Sequence, residues 1–278
     1  MAVRAIALDI DGTLTNEKKV ITPRTKEALL RAQDGGIKLI IASGRPYQGL
    51  RSLANELELP ANNGLLVSYN GAHVTDAATD EVLFDQPMPA DIIPPLLEHL
   101  RRFDVIPWIT EGRTLYIEDA YNFDIVHKGR HCNIVKLERD ACDLRVCEVD
   151  SLLEVCDRPQ DKVLAAGSDF YLQEHWREMS EPFKDDLSCM FTADYFFEFM
   201  APGVNKGRAL AGALPALGID ASEVVAFGDG QNDVQMLSWA GVGVAMANAV
   251  PEAREAADMV TGSNNEDGIA SALEELLG

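Results

Sequence analysis

Short segments that are apolar at almost every position recur through the first and last thirds of this chain, and polar residues follow them. A strand that is apolar throughout, rather than at alternate positions, is buried on both of its faces. Such strands are typical of a parallel sheet with helices packed on both sides. The segments that fit this description are residues 3–8, 37–44, 64–72, 223–229 and 241–246.

Helix signals fall between these strands. Thr22 has the character of an N-cap, and Pro23 follows it at the first helical position, where proline is favoured. We expect that helix to end near Gly35 and Gly36. Further helices are predicted over residues 46–57, 206–217, 232–239, 251–257 and 266–277, and Pro215 should kink or end the second of these. The alternation predicts an α/β fold with a doubly wound, mostly parallel, Rossmann-like core sheet.

The middle third of the chain has a different pattern. Its strand-like segments alternate apolar and polar residues, which is typical of an antiparallel sheet with helices on one face. They are residues 113–119, 161–167, 187–193 and 195–200. We therefore expect an inserted α+β domain at residues 85–198, within a core domain formed by residues 1–84 and 199–278.

Composition limits the functions that the chain can have. The formal net charge is −21 over 278 residues, whereas binding to nucleic acid or to an anionic membrane surface calls for basic patches. A small anionic substrate is still compatible with this charge, because exposed charges are screened over about 8 Å at physiological salt. Five cysteines, the lack of a long apolar run and the lack of a signal-peptide pattern predict a cytoplasmic protein without a disulfide framework.

Polar clusters lie where strands end or helices begin, along one edge of the predicted sheet. Ligands of open α/β sheets bind beyond the carboxyl ends of the strands, so these clusters should meet. Each could be an ordinary cap, turn or surface charge on its own, but their coincidence at one edge favours a site. They are Asp9, Asp11 and Thr13; Ser43, Gly44 and Arg45; Lys206; and the segment 228–233, which contains Asp229, Asn232 and Asp233.

Neighbouring carboxylates, a lysine and glycine-containing turns together are suited to phosphoryl transfer. A carboxylate can attack phosphorus and form an aspartyl-phosphate, which splits one displacement into two. Mg²⁺ prefers oxygen ligands and bridges carboxylates to a phosphate, so an ion held by Asp9 and Asp229 would offset the repulsion between Asp9 and Asp11. A second carboxylate near the leaving oxygen could donate a proton and later take one from water.

The same segments resemble, in order and spacing, the motifs of the haloacid-dehalogenase-like phosphatase superfamily. They are DIDGTLT (9–15), ASGRP (42–46), GVNKG (203–207) and FGDGQND (227–233). The SYNGA turn at 68–72, the GVGVAMANA stretch at 241–249 and the insertion between the second and third motifs resemble the Cof-type subfamily with a type-IIB cap. Within that subfamily the chain is most similar to the bacterial sugar phosphatases.

This resemblance implies a role for each matching residue. Asp9 would be the nucleophile and a Mg²⁺ ligand. Asp11 would be the general acid and base, with its backbone carbonyl on the metal, and Lys206 would bridge phosphate and nucleophile. An acid two residues after the nucleophile is a feature of the superfamily's phosphatases and phosphomutases, not of its dehalogenases or ATPases. The remaining implied roles are phosphate or substrate binding by Ile10, Thr13, Ser43, Gly44 and Asn232, and metal binding by the Asp229 side chain. Asp233 would bind the metal directly or support the metal shell or Lys206. Arg45 could contact the substrate or pair with a core carboxylate.

The expected function is therefore Mg²⁺-dependent hydrolysis of a small-molecule phosphate ester, above all a sugar phosphate, with the inserted domain as a cap. The expected protein is a monomer or homodimer with no nucleic-acid or membrane partner.

Two other functions are compatible with the same residues. A phosphomutase shares the chemistry but returns the phosphoryl group to its substrate, and a binding module would hold phosphate esters without turnover. Flavin and pyridoxal phosphates compete with sugar phosphates as substrates.

A second set of potential ligands lies in the inserted domain. His127 and His131 are four residues apart, and Cys132, Cys142 and Cys147 follow them. Structural zinc sites usually combine closely spaced ligand pairs, and here Cys142 and Cys147 are at the upper margin of that spacing. We favour ordinary packing over a zinc site for these side chains. We also favour ordinary packing over a reactive-thiol role for each of the five cysteines.

Overall fold

The computed structural model of the protein describes residues 2–122 and 124–278. Its strands are β1 (Ala5–Leu8), β2 (Lys38–Ala42), β3 (Leu65–Ser68), β4 (His73–Asp76), β5 (Val82–Asp85), β6 (Ile106–Glu111), β7 (Thr114–Ile117), β8 (Asp124–His127), β9 (Arg130–Asn133), β10 (Arg145–Glu148), β11 (Lys162–Ala166), β12 (Ser188–Ala193), β13 (Phe196–Met200), β14 (Val224–Gly228), β15 (Val242–Ala245) and β16 (Met259–Val260). Its α-helices are α1 (Pro23–Asp34), α2 (Gln48–Glu56), α3 (Ile93–Leu100), α4 (Ile134–Cys142), α5 (Asp169–Ser180), α6 (Lys206–Ala213), α7 (Val234–Trp239), α8 (Pro251–Ala256) and α9 (Gly268–Leu277). Among these residues, no helix is long and apolar enough to cross a membrane.

Contacts divide the chain into two compact units. The first comprises the described residues up to Gly44 together with Leu50–Asp85 and Asn205–Gly278. The second comprises Arg45–Gly49 and Gln86–Val204. The short Arg45–Gly49 segment belongs by its contacts to the second unit, although its neighbours on both sides along the chain belong to the first.

The first unit is built on a sheet with the strand order β16-β15-β14-β1-β2-β3-β4-β5. Neighbouring strands from β16 to β3 are parallel, whereas β4 and β5 are antiparallel additions at one edge. The predicted fold class, a mostly parallel α/β core sheet, is confirmed. The sequence patterns did not predict β4 and β5, because a short, partly exposed edge strand lacks the continuous apolar run of a buried one.

Strand β1 shows how this sheet is covered on both faces. All of its residues are fully buried. Ala5 and Ala7 belong to one apolar cluster with Leu210 of α6. Successive side chains of a strand alternate between the faces, so Ile6 and Leu8 point to the other side, where α1 packs on β2 and on α9. Burial of each large apolar side chain stabilises the fold by about 1.5–3 kcal/mol.

Local signals set the helix ends as predicted. The Thr22 side chain accepts a hydrogen bond from the Thr25 backbone N–H at 3.4 Å, which confirms the N-cap of α1. Helix α6 ends at Ala213, and the chain continues as a 3₁₀ helix over Leu214–Leu217. Pro215 causes this change because it has no N–H to donate to an α-helical hydrogen bond.

The second unit contains a sheet with the order β10-β7-β6-β11-β13-β12 and a separate hairpin of β8 and β9. Its neighbouring strands are antiparallel, apart from the parallel pair β10 and β7. Trp108, Leu164 and Phe196 of this sheet pack in one apolar cluster with Ile134 and Cys142 of α4. The strands predicted at 113–119, 161–167, 187–193 and 195–200 are present, and the unit has the α+β character that their alternation indicated.

Candidate active site

The carboxyl ends of β1, β2 and β14 lie side by side at one edge of the parallel sheet. Asp9 directly follows β1, and its backbone N–H donates to the Phe227 carbonyl at 3.0 Å. This hydrogen bond extends the pairing of β1 with β14 by one residue. It places Asp9 next to the loop after β14, which carries Asp229.

The loop after Asp9 turns sharply and contacts Asp229. The Ile10 carbonyl accepts hydrogen bonds from both the N–H and the side-chain hydroxyl of Thr15, each at 3.0 Å. Gly12 has φ +92°, and a Cβ atom there would lie 2.2 Å from Asp229 Oδ2, so both conformation and space require glycine. The Thr13 hydroxyl donates to Asp229 Oδ1 at 2.7 Å.

Lys206 lies at the centre of the cluster. It opens α6, whose N-cap Asn205 accepts a hydrogen bond from the Arg208 backbone N–H at 2.8 Å. The Lys206 side chain is fully buried, and its Nζ is 2.6 Å from Asp9 Oδ1 and 2.6 Å from Asp233 Oδ1. A buried ammonium group is tolerated only with partners of opposite charge, and here two carboxylates provide them.

Asp233 supports the loop as well as the lysine. Its Oδ2 accepts hydrogen bonds from the backbone N–H groups of Asp229 and Gly230, both at 2.9 Å. Its Oδ1 accepts from Lys206. Both carboxylate oxygens of Asp233 are thus engaged by protein donors. This geometry favours support of Lys206 and the loop over direct metal binding, the two roles that the resemblance implied for Asp233.

The carboxylates of this cluster outnumber its positive charge. Burial raises the pKa of Asp9, the Asp233 carboxylate raises it further, and Lys206 lowers it only in part. Burial raises the pKa of Asp229 to about 6, although the hydrogen bond from Thr13 opposes this shift. Burial alone would lower the pKa of Lys206, but the carboxylates of Asp233 and Asp9 outweigh it and raise that pKa. The cluster therefore has an excess of negative charge that a cation would relieve.

The oxygens of this cluster fit a divalent cation. One carboxylate oxygen from each of Asp9, Asp229 and Asp233 lies within 4.8 Å of the others. Hard oxygen donors of this kind suit Mg²⁺. Burial and the neighbouring carboxylates raise the pKa values of Asp9 and Asp229, and a bound cation would oppose both effects. Both the chemistry and the electrostatics of the cluster are thus compatible with Mg²⁺.

Asp11 lies at the exposed side of this cluster. Its carboxylate forms an ion pair with Lys19 at 2.7 Å, and its side chain is 41 % exposed. Its charge contributes to the raised pKa of Asp229, so the two carboxylates are close enough to interact. Asp11 therefore has access to solvent, which the buried Asp9 lacks.

The second and fourth motifs meet through Asn70. The Asn70 N–H donates to the Ser43 carbonyl at 2.9 Å, and its Oδ1 accepts from Asn232 Nδ2 at 2.9 Å. A Cβ atom on Gly44 would lie 3.0 Å from Asn70 Oδ1. Asn70 lies in the turn after β3, with φ +56°. Asn70 thus links Ser43, through its backbone N–H, to Asn232, through its side chain.

Known proteins resemble this chain along almost all of its length. The sequence pattern of the haloacid dehalogenase-like hydrolases matches residues 6–273. The chain belongs to this family. Three of the motifs that pointed to it, DIDGTLT, GVNKG and FGDGQND, contribute Asp9, Lys206 and Asp229 to this cluster.

Relatives cover nearly the whole length of the chain. The pyridoxal phosphate phosphatase YbhA of Escherichia coli is 32% identical, over 98% of this chain and 98% of its own. The crystal structure of a haloacid dehalogenase-like hydrolase from Bacteroides thetaiotaomicron is 33% identical with a TM-score of 0.88 and covers 99% of both chains. A solved haloacid-dehalogenase subclass IIB sugar phosphatase is 25% identical with a TM-score of 0.81 and covers 98% of both chains.

Arg45 is the one candidate site residue of this haloacid dehalogenase-like chain that belongs to the second unit. Its Nη1 donates to the Ala141 carbonyl in the last turn of α4 at 3.4 Å. Gly49, at the end of the same short segment, also packs on α4, because a Cβ atom there would lie 3.1 Å from Cys142 Sγ. A contact of Arg45 with phosphate stays a prediction.

His127 and His131, the two histidines considered for zinc, lie next to acidic side chains of the second unit. His131 Nδ1 is 2.5 Å from Asp124 Oδ2, and His127 Nδ1 is 3.4 Å from Asp169 Oδ2. The thiol of Cys142 donates to the Glu138 carboxylate at 3.5 Å. Within residues 2–122 and 124–278, none of the histidines and cysteines considered for zinc belongs to a group of converging ligand atoms.

One site residue escaped sequence reasoning. Asn248 Nδ2 donates to the Gly12 carbonyl at 2.8 Å and lies 3.4 Å from Asp229 Oδ2. The only sequence signal from its segment is the resemblance of the GVGVAMANA stretch to the Cof-type subfamily. A lone asparagine carries no charge or nucleophile, so the remaining signal is its position three residues after the end of β15, at the same edge of the haloacid dehalogenase-like sheet.

Proposed function

We propose that this chain is a Mg²⁺-dependent phosphomonoesterase that hydrolyses small phosphorylated metabolites through an aspartyl-phosphate on Asp9. The observation that carries the proposal is the fully buried Lys206, whose Nζ lies 2.6 Å from both Asp9 and Asp233. Residues from distant parts of the chain thereby surround one point at the carboxyl edge of the sheet. A phosphoryl group at that point would meet a nucleophile and a cation at once.

The proposed first step is attack of the Asp9 carboxylate on phosphorus. Lys206 holds Asp9 Oδ1 and fixes the orientation of the carboxylate. As the bond between Asp9 and phosphorus forms, the bond from phosphorus to the ester oxygen breaks, and the Asp11 carboxyl group gives its proton to the departing alkoxide. Because Asp11 is exposed, its carboxyl group can contact the alkoxide oxygen of the departing part of the substrate.

The second step releases phosphate and restores the site. Asp11, now a carboxylate, takes a proton from water as the water oxygen attacks phosphorus. The bond between Asp9 and phosphorus breaks, and both aspartates return to their starting states. Lys206 would stabilise the negative charge that builds on the phosphoryl oxygens in both steps.

Asp9 and Asp229, with the backbone carbonyl of Asp11, would hold the metal. When bound, Mg²⁺ supplies charge neutralisation for the phosphoryl group and for the crowded carboxylates. Thr13 orients Asp229 from one side, and Asp233 holds the backbone of the same loop. Phosphate contacts from Ile10, Ser43, Gly44, Arg45 and Asn232 belong to this proposal.

Removal of the metal should stop catalysis reversibly. Treatment with EDTA should abolish phosphate release from an aryl phosphate, and added Mg²⁺ should restore it, because a cation would offset the negative charge of the clustered carboxylates that Lys206 balances only in part. Mg²⁺ should also raise the Tm of the EDTA-treated protein, since a ligand of the folded state stabilises it. Full activity after exhaustive chelation would rule out the metal.

Asp11→Asn should lower kcat by about 10²–10⁴-fold, the usual contribution of general acid–base catalysis. The variant should fold normally, because Asp11 is exposed and its ion pair with Lys19 is a surface pair worth little stability. Rapid-quench kinetics should show accumulation of the phosphoenzyme. Asp80→Asn is the matched control, because Asp80 forms an exposed ion pair of the same length, 2.7 Å, with Arg51. Equal rates for the two variants would remove Asp11 from the mechanism.

Sugar phosphates are the proposed substrates. The resemblance to the Cof-type sugar phosphatases and the similarity to a solved subclass IIB sugar phosphatase support this class, with residues 85–198 proposed as a cap that selects the leaving group. Pyridoxal phosphate is a second candidate, because a relative at 32% identity is named as its phosphatase. A panel of sugar phosphates, pyridoxal 5′-phosphate and flavin mononucleotide, assayed for released phosphate, separates these candidates. A phosphomutase would yield isomerised ester with little free phosphate, and a binding module would yield neither.

A further inference from the structure

Asn248 joins two loops of the proposed site although it lies outside the four motifs. Its Nδ2 donates to the Gly12 carbonyl at 2.8 Å in the loop after β1. The same nitrogen lies 3.4 Å from Asp229 Oδ2 in the loop after β14. Asn248 is exposed, so these contacts are not a by-product of core packing.

The orientation of the Asn248 amide is set by a third loop. Its Oδ1 accepts a hydrogen bond from the Asn264 backbone N–H at 3.1 Å. A backbone N–H can only donate, so the amide oxygen must face Asn264 and the NH₂ group must face Gly12 and Asp229. The two hydrogens of that group can serve both acceptors.

Neighbouring contacts hold the same three loops in register. The Val250 N–H donates to the Asp229 carbonyl at 2.9 Å, and the Ala247 N–H donates to the Gly262 carbonyl at 3.2 Å. Asn264 Nδ2 donates to the Thr15 carbonyl at 2.9 Å. Asn248 therefore acts from a backbone that is anchored on both sides.

We propose that Asn248 is a positioning residue that orients the Asp229 carboxylate for the metal. Asp229 Oδ1 accepts from Thr13 and its Oδ2 faces Asn248, so the two donors together restrict rotation of the carboxylate. The bond to the Gly12 carbonyl fixes the peptide between Gly12 and Thr13 at the same time. This inference rests on the proposed function, because it assigns Asp229 to the metal. Partners that orient metal ligands typically contribute about 10–100-fold to metal affinity.

The test is calorimetric titration of Mg²⁺ into the EDTA-treated full-length protein without substrate. Asn248→Leu keeps the size of the side chain and removes both hydrogen-bonding functions. We expect its Kd for Mg²⁺ to rise by about 10–100-fold. Saturating Mg²⁺ should restore most of kcat, a recovery that general damage to the fold would not show. If Asn248→Leu does not fold, Asn248→Ser, with a shorter polar side chain, should show the same direction of change.

Asn62→Leu is the matched control. Asn62 is an exposed asparagine of the same unit whose Nδ2 donates to the Glu58 carbonyl at 3.0 Å, in the 3₁₀ helix that precedes β3. Its Kd for Mg²⁺ should equal that of the wild type. An unchanged Kd in the folded Asn248 variant would overturn the positioning role and leave the proposed function intact. A wild-type protein that binds no Mg²⁺ would overturn both.

Discussion

Asp9→Asn should abolish phosphate release from every ester that the wild type hydrolyses. The amide cannot attack phosphorus as a carboxylate does, so no aspartyl-phosphate can form. The rest of the cluster should stay in place, because the amide oxygen can still accept the hydrogen bond that Lys206 Nζ donates at 2.6 Å. The measurement is single-turnover phosphate release in saturating Mg²⁺, together with the Tm of the metal-free variant.

The Tm distinguishes lost chemistry from lost folding. Burial and Asp233 raise the pKa of Asp9 in the folded protein above its usual value, so the folded chain binds this proton more tightly than the unfolded chain does. Ionisation of Asp9 therefore costs stability as the pH rises through that range. Asp9→Asn removes this negative charge, so the Tm of the metal-free variant at pH 7 should equal or exceed that of the metal-free wild type. Residual turnover in a stable Asp9→Asn protein would refute the nucleophile assignment.

Lys206→Met should abolish activity and also lower the free energy of unfolding at pH 7 by about 3–5 kcal/mol, the usual effect of removing one partner of a buried ion pair. The reason is that Asp9 and Asp233 would be left in the same buried place without the ammonium group that they share. The measurement is urea unfolding at pH 7 and at pH 5. The loss should be smaller at pH 5, because Asp9, whose pKa burial and Asp233 raise, gains a proton more readily there, which removes its repulsion with Asp233.

The free energy of unfolding of the wild type should fall at alkaline pH. The carboxylates raise the pKa of Lys206 above 10.5, so the folded chain holds this proton more tightly than the unfolded chain. The stabilisation from Lys206 is complete below pH 10.5 and is lost as the pH rises through the pKa of Lys206 in the folded chain.

Lys26→Met is the control for Lys206→Met, because Lys26 pairs with Glu56 at 3.4 Å on the surface and its loss should cost at most about 1 kcal/mol. Equal stability of the two variants would contradict the buried ion-pair network.

The elements that could be predicted from sequence are those with a local cause. The apolar segments that became β1, β2 and β14 must be buried on both faces whatever packs on them, so they indicated a parallel sheet directly. Thr22 and Pro215 acted on the backbone within a few residues of themselves. The convergence of the Asp9 and Asp229 loops followed from the geometry of parallel strands, whose carboxyl ends share an edge.

The contacts that could not be predicted join residues with no pattern in common. An amide side chain has no preferred partner, so nothing near Asn248 in the sequence indicates the Gly12 carbonyl 236 residues away. The same holds for Asn70 and Asn232, and for the position of Arg45 on α4 of the second unit. Such contacts depend on where whole loops lie to within a fraction of an ångström.

Sequence alone thus determined which strands of the core sheet are buried, where the helices of the first and last thirds of the chain lie, and which carboxylates and lysine share one edge of the sheet. Only the tertiary structure decided that Lys206 lies fully buried between Asp9 and Asp233 and that Asp11 stays exposed beside Lys19. The physical reason is the range of the forces. Burial and backbone preferences act through each segment's own composition, whereas hydrogen bonds and ion pairs require that the folded chain has already brought distant atoms together.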